Sequence, residues 1–236
     1  MTSAGLTIRW IGIDAAHDRA ALAAVLGVDI PDEGSIEIPG LRLEIDAPGP
    51  GRARGRLQVK GTDPRASTML IAVPDAEEPP ADPTGSAPST ARFLALGWAT
   101  VDLERAAATW PGVRWQAAPR DSLVGARALV GRAGSPAATV TTNAVAADAV
   151  TIVLLEPDKE GRLAASLARH GEGPAALYVL VPPNAIAAIA AIAARVARLG
   201  VRFIAGPGPF GPAWAIAGSD ASSPTVIVVA GAVPDE

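Results

Sequence analysis

The feature that most constrains this sequence is an order of predicted strands and helices that occurs twice in its C-terminal part. The first copy has a strand at 92–101, a helix from Asp102 to Trp110, and strands at 113–117, 123–130, 138–142 and 150–155. The second copy has a strand at 176–181, a helix at 184–199 that Gly200 ends, and strands at 201–204, 213–216 and 225–229. This internal repeat predicts two copies of one α+β module.

The N-terminal part contains a weaker copy of the same order. A strand at 6–13 precedes a helix that Asp14 begins and Gly27 ends, and further strands are predicted at 35–38, 41–45, 55–60 and 68–73. Residues 74–90 contain five prolines and little to bury, which is typical of an extended or mobile linker. We therefore expect a diverged βαβββ-like module at 1–73, a linker at 74–90, and modules at 91–157 and 158–236.

Composition narrows the functional classes. The formal net charge of −4 argues against a nucleic-acid surface, which requires a basic patch. No run of 18 apolar residues predicts a membrane span, and charges within residues 1–20 interrupt any signal peptide, so we expect a cytoplasmic protein. Because the sequence has no cysteine, it can form no disulfide and offers no thiolate nucleophile or sulfur ligand.

Short motifs mark the boundaries of the two copies. Val101-Asp-Leu-Glu-Arg-Ala-Ala opens a helix, Leu154-Leu-Glu-Pro closes the first copy, and Arg169-His-Gly-Glu-Gly opens the second. Arg198-Leu-Gly-Val-Arg-Phe and Gly208-Pro-Phe-Gly-Pro-Ala-Trp lead into the last strand. In order and spacing, residues 92–231 resemble the paired βαβββ modules of the vicinal oxygen chelate superfamily, which includes glyoxalase I, methylmalonyl-CoA epimerase, the extradiol dioxygenases and the bleomycin-resistance proteins.

The resemblance implies a cavity with a divalent metal, held by His on the first strand and Glu on the last strand of each module. In this sequence those positions fall on Ala95, Val153, Ala176 and Val228. A shift of one residue on the first strands gives Leu94, Leu96, Ala175 or Leu177, which are also apolar. Alkyl side chains have no lone pair to donate to a metal, so we expect neither a metal nor another cofactor.

Candidate catalytic groups are few. His170 could act as a general base if Glu172 oriented it, Glu156 could be an acid at the cavity rim, and Glu44 occupies a position like that of a last-strand ligand. Each also has a plainer interpretation as a loop, strand-end or solvated residue. His17 is interpreted as a solvated helix residue, and no Gly-x-Ser-x-Gly nucleophile motif is present.

Aromatic and basic residues suggest a ligand surface. Trp98, Tyr178, Phe210 and Trp214 are predicted near the cavity walls and could stack on a planar, partly apolar molecule. Arg127 and Arg120, on or beside a predicted cavity strand, could pair with an anionic ligand. The alternatives are that the tryptophans pack in the core beneath helices and that the arginines are solvated.

Three hypotheses remain open from the sequence. The first is a metal-independent protein, similar to bleomycin-resistance proteins, that binds a small molecule between modules, with a homodimer left open. The second is a lyase or isomerase of the superfamily whose catalytic residues have moved. The third is a non-catalytic scaffold or interaction protein in which Ala and Val fill the former cavity, as close packing favours.

Overall fold

The computed structural model describes residues 6–11, 15–26, 30–31, 34–38, 41–46, 56–59, 91–133, 151–181, 186–217 and 224–230. The strands predicted at 68–73 and 138–142 and the linker predicted at 74–90 lie outside these ranges.

The C-terminal part consists of two βαβββ modules, as the repeat predicted. The first module contains β5 (Arg92–Ala99), α2 (Leu103–Ala108), β6 (Val113–Asp121), β7 (Ala126–Ala133) and β8 (Thr151–Pro157). The second contains β9 (Gly173–Val181), α4 (Ile186–Arg198), β10 (Arg202–Gly208), β11 (Gly211–Ala217) and β12 (Thr225–Ala230). The helix α3 (Arg162–His170) joins them.

The two modules share one eight-stranded sheet of order β10-β11-β12-β9-β5-β8-β7-β6. Within each module the first strand pairs in parallel with the last, β5 with β8 and β9 with β12. The modules meet where β5 pairs antiparallel with β9. The strand order therefore reads the same from either edge, and the fold class is the predicted α+β repeat.

A matching local signal begins the strand after the helix in each module. Gly112-Val-Arg-Trp precedes and enters β6, and Gly200-Val-Arg-Phe precedes and enters β10. Both glycines have a left-handed backbone, with φ of 78° and 72°, which a side chain would strain. The predicted end of the long helix at Gly200 is confirmed, because its N–H bonds the Ala197 carbonyl at 3.0 Å.

The eight-stranded sheet is curled and has two buried faces. Its outer face is covered by α2 and α4 and buries residues such as Leu96, Leu154 and Val179. Its inner face buries alternate residues of the same strands, among them Leu155 and Tyr178. The edge strands β6 and β10 contact each other, and the Ser122 N–H and hydroxyl both donate to the Pro207 carbonyl, at 3.0 and 2.8 Å. The inner face is therefore concave.

The N-terminal part forms a separate four-stranded sheet of order β2-β3-β1-β4 with one helix. Its elements are β1 (Leu6–Ile11), α1 (Ala15–Leu26), β2 (Gly34–Ile38), β3 (Leu41–Asp46) and β4 (Arg56–Val59). The element order matches the prediction, but the pairing differs from that of the other modules. Here β1 pairs in parallel with the second strand after its helix, and β4 pairs on the opposite side of β1.

The sequence interpretation missed α3. No helix was predicted between the end of the first copy at Pro157 and the strand at 176–181, whereas Arg162–His170 is a helix of nine residues. Leu163 and Leu167, four residues apart, pack on the inner face, and Gly171 ends the helix with φ of 73°. A helix of nine residues is too short to be stable by propensity alone, so the packing of Leu163 and Leu167 stabilises it.

Candidate functional site on the inner face

The inner face brings three of the four expected metal-ligand positions together. Ala95, Val153 and Ala176 all lie in its buried cluster, and each is 0% exposed. The prediction for the fourth position was wrong, because Val228 packs on the outer face with Val226. Ile227 occupies the inner position on β12. Side chains alternate along a strand, so a shift of one residue in β12 places Val228 on the opposite face.

These residues do not fit a divalent metal. Ala95, Val153, Ala176 and Ile227 present only alkyl groups to the inner face, and none of these can coordinate a cation. Among the residues that the structure describes, no group of three or more His, Asp or Glu side chains could hold a metal ion.

Gly97 lies at the centre of the inner face, and there is little space above it. A Cβ atom at this position would lie 2.7 Å from the Ala176 Cβ, 3.0 Å from the Leu155 Cδ1 and 3.2 Å from the Tyr178 Cε2. Real Cβ contacts are rarely this short, so even a methyl group does not fit without movement of its neighbours. The strand needs glycine here because Leu155 of β8 and Ala176 and Tyr178 of β9 occupy the space that a side chain would take.

One polar pair lies within this apolar surface. The Tyr178 Oη donates to the Asp121 Oδ2 at 2.7 Å, and Asp121 Oδ1 accepts from the Leu123 and Val124 N–H groups at 2.9 and 3.3 Å. Asp121 ends β6 and Tyr178 lies on β9, so the bond joins the two modules across the concave surface. Both residues are 0% exposed.

Burial dominates the protonation chemistry of this pair. It raises the pKa of the Asp121 carboxyl group, and the hydrogen bonds from Tyr178, Leu123 and Val124 oppose that rise. Burial, followed by the charge of Asp121 and the hydrogen bond to it, raises the pKa of the Tyr178 phenol well above its usual value. A phenol of this kind stays protonated and acts as a fixed hydrogen-bond donor.

The aromatic residues predicted to form one ligand surface divide between the two faces. On the inner face Tyr178 and Phe210 meet edge to face at 5.4 Å. On the outer face Trp98 packs edge to face on Trp110 at 5.4 Å, while Trp214 stacks on Phe203 at 6.4 Å. The sheet separates the two groups, so Trp98 and Trp214 cannot contact a ligand on the inner face.

Glu156 and Arg127 lie on the outer side of the sheet and bind each other. The Arg127 Nη2 donates to the Glu156 Oε1 at 2.5 Å, and this bond raises the pKa of the exposed arginine. The second oxygen of Glu156 accepts from the Leu103 N–H at 3.1 Å, at the first residue of α2. A carboxylate at a helix N-terminus satisfies a backbone donor that would otherwise lack a partner. Arg120 pairs with Asp158 at 2.5 Å.

Glu172 holds the joint between the modules. Its Oε1 accepts from the Thr100 hydroxyl at 2.6 Å, the Val101 N–H at 3.0 Å and the Arg105 guanidinium at 2.5 Å. His170 is the last residue of α3 and is half-buried.

The remaining candidates lie in the N-terminal sheet and its helix. Glu44 is on β3, and its cross-strand partners are Arg9 on β1 and Ser35 on β2. His17 lies in α1. The three catalytic candidates Glu44, Glu156 and His170 thus lie on three different elements, β3, β8 and α3.

Sequence reasoning missed Asp121 and Gly97. Asp121 precedes Ser122-Leu-Val-Gly in the turn between β6 and β7, a pattern typical of a side chain that bonds backbone N–H groups two and three residues later. That signal predicts a turn, and nothing local in the sequence indicates that the same carboxylate reaches Tyr178, 57 residues away.

Comparison with solved structures identifies the architecture. A variant of 4-hydroxymandelate synthase from Streptomyces coelicolor matches with a TM-score of 0.54 and 13% sequence identity, over 99% of this chain and 93% of that protein. This enzyme is a member of the vicinal oxygen chelate superfamily. The chain has the vicinal oxygen chelate fold. The resemblance found in the sequence is confirmed at the level of fold, and an identity of 13% carries no activity with it.

Other proteins of the vicinal oxygen chelate fold match less well. Methylmalonyl-CoA epimerase from Mycobacterium tuberculosis is 22% identical over 63% of this chain and 94% of its own, with a TM-score of 0.45. BphC, a halotolerant catechol dioxygenase, is 12% identical over 100% of this chain and 88% of its own, with a TM-score of 0.49. No protein-family model matches the chain, and no curated protein matches it in sequence.

The helices in the described part of the chain are all too short or too polar to span a membrane.

Proposed function

We propose that this protein is a non-catalytic scaffold or interaction protein, in which the inner face of the vicinal oxygen chelate fold is a packed core. The observation that carries the proposal is the environment of Gly97, where an added methyl group would collide with Ala176, Leu155 and Tyr178. A surface without room for a methyl group has no room for a substrate at that point.

The chemistry of the inner face supports the same proposal. Three expected ligand positions carry buried alkyl groups, and the polar groups of Tyr178 and Asp121 bond each other instead of facing an opening. A buried pair with complete hydrogen bonding contributes to the uniqueness of a core. We infer that the pair fastens the first module to the second, where a catalytic relative would need the space for a ligand.

The lyase or isomerase hypothesis has less support. Its candidate Glu156, and Glu172, which was expected to orient the candidate His170, accept bonds from backbone N–H groups and arginines around α2. These bonds stabilise the start of a helix and the joint between modules. A general base must reach the proton that it removes, and these carboxylates lie at the joint and on the outer side of the sheet.

Gly97→Ala tests whether the inner face is packed or open. In a packed core the added methyl group should destabilise the protein by about 1–3 kcal/mol, measured by urea unfolding. Gly173→Ala is the matched control, because Gly173 begins the neighbouring strand β9 and a Cβ there would meet nothing within 4 Å. The control variant should keep the stability of the parent protein.

The same proteins can be titrated with Ni²⁺, Zn²⁺, Mn²⁺ and Mg²⁺ while the melting temperature is followed. We expect no metal-dependent shift, since a metal that binds only the folded state would stabilise it by RT ln(1 + c/Kd) at a free metal concentration c. A tolerated Gly97→Ala variant, or a metal-dependent increase in melting temperature, would contradict the packed core and favour small-molecule binding between the modules.

A further inference from the structure

The hairpin of β6 and β7 carries four arginines, which fall into two kinds. Arg120 and Arg127 each pair with a carboxylate, Asp158 and Glu156 respectively. Arg114 and Arg132 make no ion pair with any residue that the structure describes, and both are exposed. All four arginines lie on this one hairpin, so within the described part of the chain the hairpin carries two paired and two unpaired positive charges.

The register places Arg114 and Arg132 directly opposite each other. They are cross-strand partners, two residues from the pair Gln116 and Val130. Val130 packs on the inner face, whereas the intervening Trp115 lies over Gly131 on the outer face. Since side chains alternate along both strands, the two arginines share the inner face with Val130.

Two like charges at this spacing are unfavourable. Directly opposed side chains have Cβ atoms about 4.5–5.5 Å apart, and like charges there reduce the stability of the sheet. The second module shows that the fold does not require the pair. Arg202 occupies the position that corresponds to Arg114 in the repeated Gly-Val-Arg-aromatic segment, and its cross-strand partner is Ala217. Arg132 is therefore an addition particular to the first module.

The surroundings of the pair supply further donors. Thr151 on β8 is the cross-strand neighbour of Arg132, and Gln116 follows Arg114 by two residues on the same face. A hydroxyl group and an amide can both donate hydrogen bonds, and Val130 offers a small apolar contact beside them. This combination suits the oxygens of an anion better than it suits a cation or an uncharged apolar group.

We propose that Arg114 and Arg132 form a binding site for the oxyanion of a small molecule, a carboxylate or a phosphate monoester. Guanidinium groups bind such anions through paired, charge-assisted hydrogen bonds. Thr151 and Gln116 complete the donor set. Bound anion removes the repulsion between the two arginines, so ligand binding and sheet stability are coupled. The site lies at the exposed end of the inner face, away from Gly97, and it does not depend on whether the central core is packed.

Titration calorimetry with inorganic phosphate and with succinate, at constant ionic strength maintained with chloride, tests the site and distinguishes phosphate from carboxylate ligands. We expect saturable binding of at least one anion. Arg114→Gln and Arg132→Gln should each weaken it about tenfold or more, because each removes a charge-assisted hydrogen bond. Arg202→Gln is the matched control, since it removes the corresponding arginine of the second module, and it should leave affinity unchanged.

Melting temperatures of the anion-free proteins give an independent readout. At low ionic strength Arg132→Gln should raise the melting temperature, because the repulsion is relieved, and the gain should diminish as sodium chloride is added. Arg202→Gln should show no such gain. The proposal is overturned if neither anion binds saturably, if all variants respond equally to phosphate, or if Arg132→Gln gives no salt-dependent gain.

Discussion

At the scale of single residues, Tyr178 offers the most direct view of the inner face. It is the only tyrosine in the sequence, so any tyrosinate signal comes from this phenol alone. The side chain is 0% exposed and donates to the Asp121 carboxylate at 2.7 Å. Losing the phenolic proton would place two negative charges side by side in an apolar interior.

We therefore predict that Tyr178 does not ionise while the protein is folded. Its folded-state pKa is raised, so the unfolded chain releases the proton first, and stability falls as pH rises above the ordinary tyrosine pKa of about 10. Alkaline titration should show the tyrosinate absorbance appearing together with the loss of circular dichroism. Ionisation before unfolding, or a titration midpoint near that of free tyrosine, would show that solvent reaches the inner face.

On the outer face, the absence of a side chain at Gly131 makes room for the Trp115 ring. A Cβ at Gly131 would collide with the ring of Trp115, which itself packs edge to face on Trp110 at 6.3 Å. The indole N–H groups of Trp110 and Trp115 are buried and have no acceptor among the described residues. Each costs about 1–3 kcal/mol relative to a satisfied donor. The large apolar area of the rings offsets this cost, so these tryptophans act as packing residues.

At the scale of elements, α3 both joins the two modules and covers part of the inner face. It connects β8 to β9 and lies against the inner face through Leu163 and Leu167. Its other sides are largely polar or exposed, with Arg169 in the last turn. The helix thus closes part of the concave surface with a narrow apolar stripe.

Leu163→Ala should destabilise the protein by about 2–5 kcal/mol, because Leu163 is buried and its removal leaves a cavity under the helix. Ala168→Ser is a suitable control on the same helix, since Ala168 is exposed and its substitution should change stability by less than about 0.5 kcal/mol. Urea unfolding of both variants measures the difference. Equal, small effects would mean that α3 does not pack on the inner face.

Elements were predictable from the sequence where a periodic apolar pattern was long. The strand of residues 173–181 and the helix of 186–198 are examples. The face of the sheet was not predictable, because it depends on register between distant strands. Trp98 was expected on the concave side, but it lies three residues after the inward-facing Ala95 on the same strand and therefore points to the outer face. Val228 was expected there too, but it is one residue out of step with the inward-facing Ile227 on β12.

At the scale of the whole molecule, the N-terminal sheet shares its core with the C-terminal modules. Leu22 and Leu26 of α1 belong to the same buried cluster as Ile189 and Ile192 of α4, and α1 contacts α4 directly. The strand β4 also contacts β9, one of the two central strands of the large sheet. The sequence predicted a third module but could not show that its helix would pack against the helix of another.

A shared core predicts that the two parts unfold together. Leu26 is 1% exposed, and Leu26→Ala should cost about 2–5 kcal/mol. Four of the five tryptophans, Trp98, Trp110, Trp115 and Trp214, lie in the C-terminal modules, so fluorescence mainly reports on that part of the chain. If the core is common, circular dichroism and tryptophan fluorescence should give coincident melting curves, and Leu26→Ala should shift both by the same amount. An early dichroism transition with unchanged fluorescence would instead show that the N-terminal sheet unfolds alone. The C-terminal modules would then stay folded without the packing of α1 on α4.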